Sequence, residues 1–183
     1  VKWHPFQLNP DAPKGQGENK MELYKRKFGA DRVAAMLPMM LETGKKDGIN
    51  FSYGGNTGNT FDSHRLISVA AKQGKEDAMV EELFRNYFEE EKCISDHKVL
   101  LAAAEKVGIQ NAAAFLAGKD ETQDVQSELQ NYQGKMRISG VPHFIFNGKI
   151  SESGAIESQQ LQQIFSGLLR EYPPYLDEGG GAC

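Results

Sequence analysis

Apolar positions recur three and four residues apart through most of residues 19–135, and they alternate at the opening and near residue 145. "VKWHPFQLNP" alternates Val1, Trp3, Pro5 or Phe6, and Leu8 before closing on Asn9-Pro10, which predicts a short strand ending in a turn. "DAPKGQGENK" is a Pro- and Gly-rich loop. A helix begins near Asn19, takes Met21, Leu23, Tyr24 and Phe28 onto one face, and stops at Gly29. "ADRVAAMLPMMLETGKKDG" predicts a second helix with a kink at Pro38, its methionines filling the core. After the extended "INFSYGG", Asn59 or Thr60 caps a helix carrying Phe61, Leu66, Ile67 and Val69. "KEDAMVEELFRNYFEEEK" turns Met79, Leu83, Phe84 and Phe88 inward. "SDHKVLLAAAEKVG" starts at a Ser or Asp cap and ends on Gly108; "NAAAFLAGK" and "ETQDVQSELQNYQGKM" complete the helical stretch.

Periodicity returns to two in "SGVPHFIFNGKI", where Asn147-Gly148 signals a tight hairpin. A last helix is predicted from about Ser158 to Tyr172, then a tail over 175–183. One strand and a hairpin-plus-helix, separated by more than a hundred mostly helical residues, predict an α/β fold: one small sheet with a large helical insertion. The expected division is a core of 1–10 and 136–174 with an inserted helical subdomain of 11–135.

Pro142 is out of place in a buried strand because it has no N–H to give a sheet. Two explanations fit its position after Ser139-Gly140-Val141. In one it is an ordinary trans proline opening an edge strand. In the other a cis bond turns the chain and leaves the N–H and C=O of Val141 facing outward, ready to take an extended peptide or a thiol tripeptide as an added strand.

Composition narrows the partners. A net charge of -4 with scattered Lys and Arg supplies no basic face for nucleic acid or an anionic membrane. No apolar run approaches the ~20 residues of a membrane span, and the opening residues resemble neither a signal nor a transit peptide. The two cysteines, Cys93 and Cys183, form no C-x-x-C, no disulfide framework and no metal site, so a reducing, cytoplasmic setting is the expectation. Three glutamates precede Cys93 and oppose a reactive thiolate there.

Read together, "VKWHPFQLNP", "GNTFDSHRLISVAAKQG", "EELFRNYFEEEKCISD" and "ISGVPHFIFNGKISESGA" resemble the DsbA-like branch of the thioredoxin superfamily, nearest to FrnE-type oxidoreductases, from Val1 to about Leu169. The resemblance implies a thioredoxin-like fold, Pro142 as the cis proline, and thiol-disulfide exchange or glutathione chemistry. It also places Val1–Phe6 as the second strand of that fold. Relatives carry a strand and a C-x-x-C helix start upstream of this segment, where the helix N-terminus lowers the pKa of the attacking thiol. Neither occurs in this sequence. The expectation is therefore that roughly 20–35 further residues, the size of a strand-helix half-unit, precede it. A strand from another chain, or a rearranged fold, are the alternatives.

Under this resemblance Val141, Pro142, His143 and His64 are the substrate-binding candidates, and Ser153-Gly154 in "SGA" is a place where backbone N–H groups hold a carboxylate, as in glutathione-binding relatives. His64, beside Asp62 and Arg65, is either a satisfied structural histidine or a site residue. His4 and His97 have no partner in reach by sequence, and no metal-ligand spacing occurs. "GGNTGNT" lacks dinucleotide-loop spacing and is read as a turn leading into a helix. Three functions follow: a disulfide oxidoreductase acting on a thiol or disulfide protein, a glutathione-dependent isomerase or transferase of the same fold, or a non-catalytic module that binds extended peptides. No cofactor is expected beyond glutathione in the second case.

Overall fold

A computed structural model describes residues 1–171; Tyr172, the expected tail and Cys183 lie outside the described residues. The chain divides into two compact units, Val1–Arg137 and the residues from Ile138 on. The opening ten residues, expected with the hairpin, thus group with the helices.

The first unit is built of seven helices. A two-residue strand β1 (Glu18–Asn19) leads into α1 (Lys20–Phe28), followed by α2 (Ala30–Lys46) and a matching strand β2 (Asn56–Thr57) that pairs antiparallel with β1. Then come α3 (Phe61–Lys72), α4 (Glu76–Phe88), α5 (His97–Val107), α6 (Ala112–Ala117) and α7 (Thr122–Leu129), which runs into a π-helical turn, Gln130–Lys135. The caps follow local chemistry. Asn19 accepts the Glu22 N–H at 3.0 Å, Asp96 accepts the Lys98 N–H at 2.9 Å, and Gly108 ends α5 in the left-handed region. At α3 the side chain of Asn59 accepts the Phe61 N–H at 2.9 Å, while Thr60 makes no side-chain cap. Asn19→Ala should cost about 1 kcal/mol in a urea melt, the usual worth of such a cap.

The core is helix on helix. Leu66 and Ala70 of α3, Met79 and Leu83 of α4, Leu100, Ala103 and Ala104 of α5, and Phe115 and Leu116 of α6 form one buried cluster. Lys20 is buried as well: its Nζ donates to the Tyr87 carbonyl at 2.9 Å and lies 3.9 Å from the Tyr87 ring centre, tying α1 to α4. Burial holds this ammonium below its ordinary pKa, with Glu91 and Cys93 opposing that shift.

Several expectations are corrected. Val1–Phe6 forms no strand, because its contacts are side chains rather than a neighbouring strand. Met39 and Met40 are exposed rather than core-filling. Phe84 and Phe88 are also largely exposed; Phe84 meets Trp3 edge to face at 5.9 Å, and Phe88 meets Phe51 at 5.8 Å. The second helix is present as expected, with Pro38 inside it.

The second unit comprises β3 (His143–Phe146), β4 (Ile150–Ser153) and α8 (Ser158–Glu171). Its strands pair with each other, and no third strand joins them among the described residues.

Candidate functional site

The hairpin positions the Pro142 region. Asn147 and Gly148 take φ values of 48° and 68°, and the Lys149 N–H closes the turn on the Phe146 carbonyl at 3.0 Å. This left-handed pair suits Asn-Gly, whereas a side chain with a branched Cβ would be strained there. The register sets His143 opposite Ser153, Phe144 opposite Glu152, Ile145 opposite Ser151 and Phe146 opposite Ile150. One further bond, from the Gly154 N–H to the Pro142 carbonyl at 2.9 Å, carries the ladder to the proline. Phe144 and Phe146 stack on one face at 6.2 Å, and Phe165 of α8 meets Phe146 edge to face at 5.7 Å. Alternation therefore leaves His143 and Ile145 on the opposite face.

The Val141–Pro142 peptide bond is cis. Val141 is half exposed, and its N–H and C=O have no hydrogen-bond partner among the described residues. His143 is half-buried, with Nδ1 hydrogen-bonded to the Ser153 hydroxyl at 2.8 Å. The Gly154 N–H, one of the backbone groups expected to meet a carboxylate, is thus already engaged within the hairpin, as is the Ser153 hydroxyl. That pairing could not be read beforehand, because a ten-residue cross-strand bond depends on the register.

His64 lies in the first unit, in the stretch Asp62-Ser63-His64-Arg65-Leu66, where each residue has a different task. His64 Nε2 donates to the Phe6 carbonyl at 3.0 Å. Burial pushes the imidazole down to about 4, and the bond to Phe6 works the other way. The ring is therefore neutral at physiological pH, and Nε2 carries the proton it donates. Arg65 reaches the carbonyls of Phe115, Gly118 and Asp120 beyond and within the end of α6, and pairs with Asp62 at 2.8 Å. Leu66 enters the core. Asp62 also meets His97 Nε2 at 2.7 Å. Burial would raise the Asp62 carboxyl, but the bonds from His97 and Arg65 outweigh it and hold the group below its ordinary pKa.

His4 and His97, expected to stand alone, both have partners. His4 sits between Glu128 at 2.8 Å and the Tyr132 hydroxyl at 3.1 Å. The opening segment is further held by Trp3 Nε1, which donates to Asp77 at 2.6 Å, and by Gln133. The Gln133 carboxamide accepts the Gln7 N–H at 2.9 Å and donates to the Gln7 carbonyl at 3.1 Å, replacing the two bonds a neighbouring strand would make. Nothing in the sequence signals this pairing across 126 positions.

Cys93 is buried and free. Its Sγ lies 3.1 Å from the Ser95 hydroxyl and 3.7 Å from the Gly15 carbonyl. It borders an open cleft of about 300 Å³ with Gln16, Gly55, Asn56, Glu91, Asp96 and Val99. Gly17 packs so closely here, at φ 67°, that a Cβ would overlap the Thr57 carbonyl. Among the described residues, no three His, Cys, Asp or Glu side chains gather as metal ligands, and no helix is long and apolar enough to cross a membrane.

No curated protein matches the chain. Among solved structures, a probable DsbA oxidoreductase from Streptomyces coelicolor is similar, with a TM-score of 0.82 at 22% identity over 97% of this chain and 79% of that one. The model of the DSBA-like thioredoxin domain family matches residues 1–166, a span that takes in the clamped opening segment, the helices and the Pro142 hairpin. The chain therefore belongs to the DsbA-like thioredoxin domain family, and its fold is the thioredoxin-like one of that family.

Proposed function

We propose that this chain carries the substrate-binding half of a thiol–disulfide oxidoreductase of the FrnE type. In this reading the unpaired N–H and C=O of Val141 receive a cysteine-containing segment of a substrate protein as an added strand. Pro142 ends the ladder so that no strand of the protein competes for those groups. His143 stands next to the bound sulfur. The attacking thiol is supplied from a C-x-x-C outside residues 1–183, since this sequence contains none. The thiolate attacks the substrate disulfide, one S–S bond forms as another breaks, and the released sulfur leaves as a thiolate.

The observation that carries this reading is the pair of free backbone groups on half-exposed Val141, in a family whose members act on thiols and disulfides. Glutathione enters as a small thiol or disulfide substrate rather than as a tripeptide held by its carboxylates, because the Gly154 N–H is already committed to Pro142. His64 keeps to the first unit, where it fixes Phe6 of the opening segment, and has no part in this reading. A reducing, cytoplasmic setting fits the unpaired thiol of Cys93.

The test joins a strand–helix segment bearing C-x-x-C to the front of the chain and follows reduction of insulin by dithiothreitol. The joined protein should accelerate the reaction and the 183-residue chain should not. Acceleration by the shorter chain that disappears in Cys93→Ser would contradict the proposal and move the chemistry to Cys93.

A further inference from the structure

The bond between His143 and Ser153 bears on how a sulfur would be met beside Pro142, and the inference drawn from it rests on the function proposed above. His143 and Ser153 face each other in register on adjacent strands, on the side of the hairpin away from Phe144 and Phe146. Their side chains meet at 2.8 Å through Nδ1. The other ring nitrogen, Nε2, has no partner among the described residues. The strand ends are fixed on the far side of this pair by the bond from Gly154 to Pro142. A neutral imidazole has one donor and one acceptor nitrogen, and a neighbouring hydroxyl that donates to Nδ1 leaves the proton on Nε2.

We propose that Ser153 is a positioning residue for His143: its hydroxyl donates to Nδ1, fixes the ring against β4 and presents Nε2–H as the hydrogen-bond donor to the sulfur of a bound thiolate. No proton is transferred. A donor aimed at a thiolate stabilises the charge that appears when the S–S bond breaks, because a hydrogen bond to an ionised acceptor is about twice as strong as a neutral one. Serine serves here because it is short enough to span one cross-strand pair. Alanine would leave Nδ1 to water and the ring free to turn.

Imidazole ¹⁵N spectra of the 183-residue chain test the positioning without any need for turnover. In its neutral form His143 should show a single Nε2–H tautomer, with cross-relaxation between the ring and the β-protons of Ser153. Ser153→Ala should lose both signatures and Ser153→Thr should restore them. A His143 ring protonated on Nδ1, or one unchanged in Ser153→Ala, would overturn the inference. Titration with reduced glutathione near pH 8, where a share of its thiol is ionised, then separates the inference from the function beneath it. Joint movement of the Val141 amide and the His143 Nε2 resonance supports both. Movement of Val141 alone overturns the role of Nε2 and leaves the proposed function standing. Movement of neither resonance, with the tautomer as expected, overturns the function and the sulfur-facing role of Nε2 but not the positioning by Ser153.

Discussion

Lowering the pH from neutral to about 4 should remove about 3 kcal/mol of stability through His64 alone. The imidazole titrates near 6.5 when unfolded and about 4 when folded, because burial penalises its charged form. The folded value is the depressed one, so in the interval between the two the unfolded chain binds a proton that the native protein refuses. The contribution is fully present above 6.5 and is lost as the pH falls toward about 4. His64→Gln keeps a donor for the Phe6 carbonyl but cannot titrate. Urea unfolding of both proteins across this range should show the wild type losing about 3 kcal/mol more than the variant. Carboxylates such as Asp62 are shared by the two proteins and cancel in the difference. Parallel loss in both would show that His64 does not stay neutral in the folded protein.

Removing Arg65 should cost about 3–5 kcal/mol, the range for breaking a buried, multiply bonded ion pair. Arg65 is 4% exposed, and its guanidinium serves four acceptors: Asp62 and the carbonyls of Phe115, Gly118 and Asp120. It also lies 4.8 Å from the Phe115 ring centre. Arg65→Met preserves much of the apolar stem but leaves buried carbonyls unsatisfied and one oxygen of Asp62 without its cation. Arg65→Lys should recover less than half the loss, since one ammonium cannot reproduce a planar fork spread over residues 62 to 120. Full stability in the lysine variant, measured by the same urea melts, would mean that charge alone matters at this position.

The legible and illegible parts of this protein divide by the range of the interactions that fix them. A helix start near Asn19, a Ser or Asp cap that proves to be Asp96, Gly29 and Gly108 as stops and Asn147-Gly148 as a turn act within a few residues, and each was visible in the sequence. The helical run and the apolar positions Leu66, Met79 and Leu83 followed from period alone. Phe84 and Phe88 share the period of buried positions, yet they pack along the rim against Trp3 and Phe51. Periodicity gives a face without saying how far that face is covered. The opening segment failed as a strand for a different reason. Its alternation was real, but Gln133, His64 and Asp77 take the places of a sheet neighbour, and no local pattern foretells such partners.

The candidate site shows the same division. A proline beside β-formers drew attention to Pro142 and left a cis and a trans reading open; Val141, Pro142 and His143 became candidates through the family resemblance. The partners that define their chemistry, Ser153 and the Gly154 N–H, were assigned to a carboxylate instead. Asp62 shows how proximity in sequence misleads: it lies nearer His64 along the chain than Arg65 or His97, yet it binds the latter two.

An amide-resolved titration of the ¹⁵N-labelled chain with an unstructured peptide, its single cysteine held as a mixed disulfide with glutathione, addresses the Val141 edge directly. The Val141 N–H should shift downfield and become protected from exchange as the peptide adds as a strand, with Phe144 and Phe146, which stack with each other on the face that meets Phe165, little changed. Protection confined to residues lining the Cys93 cleft, with Val141 still exchanging freely at saturation, would contradict substrate binding at the Pro142 hairpin.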